Sequence, residues 1–433
     1  MNIQLVHQVD AAVCRGQTVQ RRDFLKAVAA GGIAAGNLSI TDRFSLQAEE
    51  LRRRGMSCIL LWMAGAPSQF ETFSPLAGHT NGGETKATKT AVGGIEIAEN
   101  LPNIAKVMDE IAIVRSVTSK EGNHGRAAYY LHTGYLPTPT VKFPSLGSVA
   151  AHQISSPESE LPSYVRIGNQ LQGATGGGFL GVEFDPFVHG NATQPPANTK
   201  PTTGVNRYRR RLRLLGSLQK DYAADGGKTE VENHHKLYEK TARMILSKDM
   251  KAFDLKDEPA KVREAYGNSE FASGCLLARR LVETGVSFVE VTSRGWDTHA
   301  DNFNRHRELT GQIDQPFAEL IRDLKDRGML DRTLVVWMGE FGRTPRINGR
   351  AGRDHFPRAF SAALAGGGVR GGQVIGRVTK DGMEVADRPV TVPDLFQSFC
   401  KSLKIDADHE NVSSIGRPIK IVEEGRCVDE LFS

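Results

Sequence analysis

Short apolar runs recur along the chain, each closed by a glycine or a polar loop. They are MSCILLWMAG (56–65), IAIV (111–114), SFVEV (287–291) and TLVVW (333–337). Each is a short, mostly apolar run and reads as a buried strand. Between them the apolar positions recur with helical spacing, as in GCLLARRLVET (274–284) and in 313–327. Buried strands alternating with amphipathic helices predict an α/β fold with a mostly parallel sheet covered on both sides. Ligands of such sheets bind beyond the carboxyl ends of the strands, so the polar residues that follow each run are the ones to weigh.

After the first run come Ser68, Gln69 and Glu71, which alone would suit a capped helix start. After the third comes TSRGWDTHADNF, with Asp297, His299 and Asp301 at alternate positions. A carboxylate and an imidazole this close can ligate one divalent ion, and a mixed oxygen–nitrogen set suits Zn, Mn or Fe. Asp297 and His299 are the expected ligands, with Asp301 left as a candidate cap. After the fourth run come Glu340 and Arg343, then Asp354 and His355 beyond a glycine-rich loop. Arg343 is suited to a bidentate grip on phosphate, sulfate or carboxylate. The stretch NHGRAAYYLHTGY (123–135) adds His124 at the mouth of a helix. Carboxylates and histidines after several strands together point to a metal-assisted hydrolase site.

The 433 residues suffice for one large α/β domain or two ordinary ones. The net charge of +5 is spread along the chain apart from RYRRRLR (207–213). That run reads as a solvated helix face, and without interleaved aromatics or a known module it implies no nucleic-acid partner. Residues 155 to 265 contain a Gly/Pro/Asn/Thr-rich run and then a charged helical stretch. They read as an insertion or cap, with a smaller separate domain as the alternative. The five cysteines form no CxxC pair, so a zinc knuckle or redox pair is excluded, and buried thiols are expected in preference to a disulfide.

Residues 1–54 read as leader and linker, and 55–433 as the folded domain. QRRDFLK (20–26) followed by AVAAGGIAAG matches a twin-arginine export leader. The apolar stretch is too short and glycine-rich to span a bilayer stably. The expected location is therefore the periplasm or cell envelope, with no transmembrane span beyond a retained leader. The export machinery is the expected partner. That route carries folded proteins, which suits a chain that takes up a metal before export.

Four segments carry a family resemblance: LLWMAGAPSQFETFSP, GGGFLGVEFDPF, LLARRLVETGVSFVEVTSRGWDTH and VVWMGEFGRTP. The chain resembles an uncharacterised family of exported bacterial proteins, often labelled sulfatase-like, in the alkaline phosphatase superfamily. The likeness runs from about Met56 to Ile405. It implies an alkaline-phosphatase-like three-layer αβα sandwich with an inserted cap. In sulfatases a nucleophile opens a helix that ends in Thr-Gly, and Thr133-Gly134 fits that end. The same spacing puts His124 at the nucleophile position, where this chain has no Cys, Ser or Thr. Asp297 and His299 resemble the Asp and His that share one metal in the phosphatase branch, and His355 resembles a later metal-binding histidine. Glu340 stands where sulfatases carry Ser-Asp-His-Gly. Gln69 and Glu71 stand where the superfamily normally has Asp. Residues 390–406 resemble its late Thr-Asp-Leu helix.

The resulting expectation is an exported hydrolase of phosphate or sulfate esters, acting on a small anionic ester or an anionic polysaccharide. One or two divalent ions (Zn, Mn, Ca or Mg) would be held by Asp297, His299, Glu340, Asp354 and His355, with Glu71 as a further candidate. Arg343 would stabilise developing charge. His124 would be a ligand or, second, a nucleophile. The alternatives are a degenerate member that binds anionic glycans without turnover, and a structural protein of the cell envelope.

Overall fold

The computed structural model describes residues 55–156, 159–168, 173, 176–199 and 203–433. The leader, with Arg21 and Arg22, lies outside them. All four expected runs are strands: β1 Ser57–Ala64, β2 Ile111–Thr118, β5 Phe288–Arg294 and β6 Thr333–Met338. The 155–265 section contributes β3 Tyr164–Ile167 and β4 Phe187–His189 to the same sheet. Beyond β6 come a two-stranded ribbon, β7 Gly342–Arg343 with β8 His355–Phe356, and then β9 Phe360–Ala365, β10 Gln373–Ile375 and β11 Val390–Thr391.

The sheet order is β10-β2-β9-β6-β1-β5-β3-β4, with β11 also on β2. Every pairing in it is parallel except those of β9, which runs antiparallel between β2 and β6. Two reversals cancel, so β2 points the same way as β1, β5 and β6, and the carboxyl ends of all four lie along one edge.

Alternate residues of each strand enter different layers. Ile59, Leu61, Met63, Val289, Val335 and Trp337 pack against α5 Glu270–Glu283 and α6 Asn302–Asp326. Cys58, Leu60, Trp62, Val336 and Met338 pack against α1 His124–Thr133, α2 Leu146–Gln153 and α7 Val392–Leu403. Helices on both faces of the sheet make a three-layer αβα sandwich, which is why β1 and β6 read as nearly unbroken apolar runs. Cys58, Cys275 and Cys400 are buried free thiols, and Cys427 is free and half-buried.

Between β4 and α5 lie α3 Val205–Leu218 and α4 Lys228–Leu246. Arg207, Arg209, Arg210, Arg211 and Arg213 are exposed along α3, whereas Leu212 and Leu215 are half-buried. α4 is tied to the 178–184 turns by Lys236 on Glu183 at 2.6 Å and Lys240 on the Glu183 carbonyl at 2.8 Å. Among the described residues no helix is long and apolar enough to cross a membrane.

One buried group gives the fold a measurable acid sensitivity. His306 on α6 is fully buried; its Nε2 accepts the Ser68 N–H at 2.9 Å and its Nδ1 donates to the Asn302 carbonyl at 3.0 Å. Burial disfavours the charged ring and pushes its pKa down to about 4. A histidine lowered on folding stabilises the native state above its unfolded pKa of about 6.5. That stability is lost as pH falls toward about 4, up to about 3 kcal/mol. Urea midpoints measured down this window should fall for the wild type and fall less for His306→Gln. Parallel slopes would contradict the assignment.

Candidate metal centre

Four strand ends deliver the site. After β5 the Trp296 N–H reaches the Ala64 carbonyl at 3.3 Å, which brings Asp297 against the turn that follows β1. Gly65 permits this approach: its φ is +110°, and a Cβ there would stand 2.6 Å from the Asp297 backbone nitrogen. After β6, the Glu340 carboxylate accepts the Gly65 N–H at 3.0 and 3.1 Å and the Ala66 N–H at 2.8 Å, fixing the same turn. The chain then loops out from β7 and returns as β8, with His355 paired opposite Arg343. After β2, Asn123 caps α1 by accepting the Arg126 N–H at 3.2 Å. The cap is the asparagine, so His124 becomes the first helical residue and faces the site.

The side chains converge on Asp297 Oδ1. It lies 3.2 Å from His299 Nε2, 3.4 Å from His355 Nε2 and 3.5 Å from His124 Nε2. The two Nε2 atoms of His299 and His355 are 3.0 Å apart. His355 Nδ1 meets the Gly122 carbonyl at 2.8 Å, and a carbonyl only accepts, so that nitrogen carries the proton. His299 Nδ1 meets Asp354 Oδ1 at 2.7 Å and donates in the same way. Each neutral ring is left with its lone pair on Nε2. Two lone pairs and a carboxylate oxygen then face one another, which is unfavourable unless a proton or a cation sits between them. The edges of a tetrahedral site with nitrogen and oxygen ligands at roughly 2.0–2.1 Å are close to these separations. His124 Nε2 is buried without a hydrogen-bond partner, an orphan atom beside the same oxygen. His124, Asp297 and His355 each place one ligand atom within 4.8 Å of the others.

The electrostatics suit a cation. Burial pushes the Asp297 carboxyl up, but the Arg343 guanidinium, with His124 and His299, holds it below the usual carboxylate range. His299 lowers Asp354. Burial, Arg343 and His124 lower His355, favouring the neutral ring a metal needs. His124 alone is raised, chiefly by Glu340, whose Oε1 lies 3.6 Å from His124 Nδ1.

Not every expected site residue faces this cluster. Arg343 is fully buried behind Asp297. Its Nε donates to the Ala66 carbonyl at 2.9 Å, and its Nη2 donates to Asp297 Oδ1 at 2.6 Å and to the Gly65 carbonyl. Its forked donors thus grip this chain's own backbone and Asp297. Glu71 is fully buried and paired with Arg353 at 2.8 Å. Burial pushes the Glu71 carboxyl up, but Arg353 and His306 outweigh that and lower it. Gln69 braces the ribbon, accepting the Arg343 N–H at 2.8 Å and donating to the Arg343 carbonyl at 3.0 Å. Glu340 and Asp354 stand one step out, each on a histidine. Asp301 occupies the N-cap position of α6 in a left-handed conformation (φ 49°), and its side chain accepts from Asn304 instead of capping the backbone.

The sequence reading missed three contributors: Arg353, the Gly122 carbonyl, and Phe341. The Phe341 ring lies 4.9 Å from His124 and 4.7 Å from His355, centroid to centroid. Arg353 shares its glycine-rich loop with Arg346 and Arg350, which are exposed, and nothing local separates them. The apolar residue following Glu340 at a strand end was the only local signal for Phe341.

Solved structures resembling the chain include a sulfatase from Pseudoalteromonas sp., 14% identical, with a TM-score of 0.41 over 89% of this chain and 72% of that one. A phosphonate monoester hydrolase of Agrobacterium radiobacter is 14% identical, with a TM-score of 0.35 over 87% and 77%. The C-terminal periplasmic domain of EcEptC from Escherichia coli, in complex with Zn, is 9% identical, with a TM-score of 0.36 over 80% and 82%. Likeness at this level leaves any functional reading to rest on the site itself. No curated protein matches the chain. A family model covers residues 56–432, nearly all of the described chain, and the chain therefore belongs to the family described as "Protein of unknown function (DUF1501)".

Proposed function

We propose that the protein is an exported, metal-dependent hydrolase of phosphate or sulfate esters with an alkaline-phosphatase-like fold. The observation that carries this reading is the triangle of Asp297 Oδ1 and the two free Nε2 atoms of His299 and His355, with edges of 3.0, 3.2 and 3.4 Å. These residues, with the orphan Nε2 of His124, fit a divalent ion and would hold it. A bound divalent ion would polarise the ester oxygen and lower the pKa of water.

The remaining residues position this set. Asp354 and the Gly122 carbonyl hold His299 and His355 in the tautomer that frees Nε2. Glu340 orients His124 from its Nδ1 side. Arg343 keeps Asp297 ionised. The first turn of α1 leaves backbone N–H groups without helical partners at the mouth of the site, which suits an anion. His124 is assigned as a ligand, since its unsatisfied nitrogen adjoins the oxygen that the other two histidines share. Export by the twin-arginine route to the periplasm or cell envelope belongs to the same proposal and is supported by QRRDFLK.

A second reading, an anionic-glycan binder without turnover, is favoured by one observation: Arg343 is turned inward and offers no guanidinium to a substrate. The two readings part in one experiment. Metal-supplemented protein is assayed with p-nitrophenyl phosphate and p-nitrophenyl sulfate, and the quenched enzyme is weighed. The hydrolase reading expects turnover that His299→Ala removes, with no adduct on His124. Full metal occupancy with no hydrolysis of either ester would favour the binder, and a labelled His124 would make it the nucleophile.

A further inference from the structure

The helix that carries His124 in its first turn makes a buried polar contact in its last. The strand that delivers Asp297 holds a charged residue at its middle. Glu290 of β5 is fully buried, with Leu60 of β1 on one side and Arg166 of β3 on the other. Its Oε2 accepts from the Tyr164 hydroxyl at 2.7 Å and from Arg166 Nε at 3.1 Å. Its Oε1 has no hydrogen-bond partner among the described residues and faces His132 Nε2 at 3.5 Å, an atom equally without one. His132 is buried on α1. Its Nδ1 donates to the Ala128 carbonyl at 2.7 Å, and its ring lies against Trp62 of β1, 4.2 Å between centroids. Burial pushes the Glu290 carboxyl up, but Arg166 and His132 outweigh it and bring it down to about 2.

His132 is thus a point where α1 meets both β1, which leads into the Gly65 turn, and β5, which leads to Asp297. The other buried residues of α1 hold it less directionally. They are Ala127, Ala128 and Leu131, with Thr133 bonding the helix's own Tyr129 carbonyl. Ala127 packs with Ala66 and Phe341 beside the site. Apolar burial is non-directional and sets no register along a helix. A buried ionic contact adds little net stability, since an apolar replacement is often neutral, and its best-attested use is to fix register. Eight residues separate His132 from His124 on α1, about 12 Å of helix. A turn or slip at one end of so short a rigid rod displaces the other.

We propose that His132 is a positioning residue for the metal centre. Its approach to Glu290 seats α1 on β5 so that His124 Nε2 stands beside Asp297 Oδ1. The proposal rests on the metal-centre reading, in which His124 is a ligand, and His132 acts only through that ligand.

Two polar substitutions separate positioning from packing. His132→Gln sets an N–H donor near the place of Nε2 and still reaches Glu290, whereas His132→Asn is too short and reaches only toward the Ala128 carbonyl. Zinc titration of the metal-free full chain should give wild-type affinity for His132→Gln. For His132→Asn it should give a loss of about ten-fold, the lower range for a residue that orients a ligand. In a His124→Ala background His132→Asn should cost no further affinity, because the group it acts through is gone. Wild-type affinity in His132→Asn, an equal loss in His132→Gln, or the same loss with and without His124 would overturn the positioning role. Circular dichroism checks folding. If His132→Asn does not fold, His132→Leu, which keeps an apolar contact with Trp62 and lacks the donor, takes its place. NMR of the metal-free chain with isotope-labelled histidine and phenylalanine supplies a readout independent of metal. The His124 and Phe341 rings, 4.9 Å apart, should show cross-relaxation in the wild type and His132→Gln and lose it in His132→Asn. A wild type that takes up no zinc would overturn the metal-centre reading instead. The ring contact would then decide the positioning, and its survival in His132→Asn would refute it.

Discussion

Asp297→Asn is expected to weaken divalent-metal affinity by more than about a hundred-fold, the upper range for losing a mere supporting residue, and to remove turnover with it. Asp297 Oδ1 is the one atom within 3.5 Å of all three imidazoles, and it is the carboxylate that Arg343 holds ionised. Asparagine keeps the shape and the oxygen that accepts from Arg343 Nη2. It loses the negative charge that makes three imidazoles and an oxygen attractive to a cation. The fold should tolerate the change, because the Arg343 guanidinium keeps its bonds to the Ala66 and Gly65 carbonyls. Metal titration and kcat/KM should therefore collapse while the thermal midpoint moves little. Metal affinity close to that of the wild type would contradict the ligand assignment.

Arg353→Ala is expected to act through the fold instead, with a cost of about 3–5 kcal/mol. Arg353 and Glu71 are both fully buried. The guanidinium also donates to the Thr344, Pro345 and Asn81 carbonyls and lies over the rings of Phe70 and Phe303. Without it Glu71 loses its cation and keeps the Ser68 hydroxyl and a long contact from Thr85 Oγ1, at 3.4 Å. An uncompensated buried carboxylate is the dear part of that loss, and total stability is only about 5–15 kcal/mol. Urea unfolding should show a much lower midpoint, and Glu71→Gln/Arg353→Met should recover part of it. A double substitution as unstable as the single one would mean that the ion pair is not what matters. Metal binding should suffer too, because the Arg353 N–H bonds the Thr298 carbonyl at 3.0 Å, between Asp297 and His299.

Those two residues also mark how far the sequence could be read. The central strands were legible because both faces are buried and leave unbroken apolar runs such as CILLWM. β3 and β4 were not, since they are short and lie within a glycine- and proline-rich section. FSAALA, which forms the antiparallel β9, is too rich in alanine and serine to announce a strand. Asp297, His299, Asp354 and His355 were visible because they follow strands, where α/β sheets bind ligands. Their division into inner and supporting groups was not visible, because it depends on how the β7–β8 ribbon folds back onto the β5 loop. Glu71 and Arg343 were misplaced for the same reason. Each is a charged residue near a strand end, and only tertiary packing shows that one faces Arg353 and the other turns inward behind Asp297.

The Asp297, His299, His355 and His124 cluster is expected to hold a divalent cation. Elemental mass spectrometry on purified, folded, full-length protein tests it most directly, beside the Asp297→Ala/His355→Ala double variant. The expected result is about one metal ion per chain in the wild type and none in the variant, with both folded. Metal-free wild type after incubation with Zn, Mn, Ca and Mg, or metal retained equally in the variant, would contradict it.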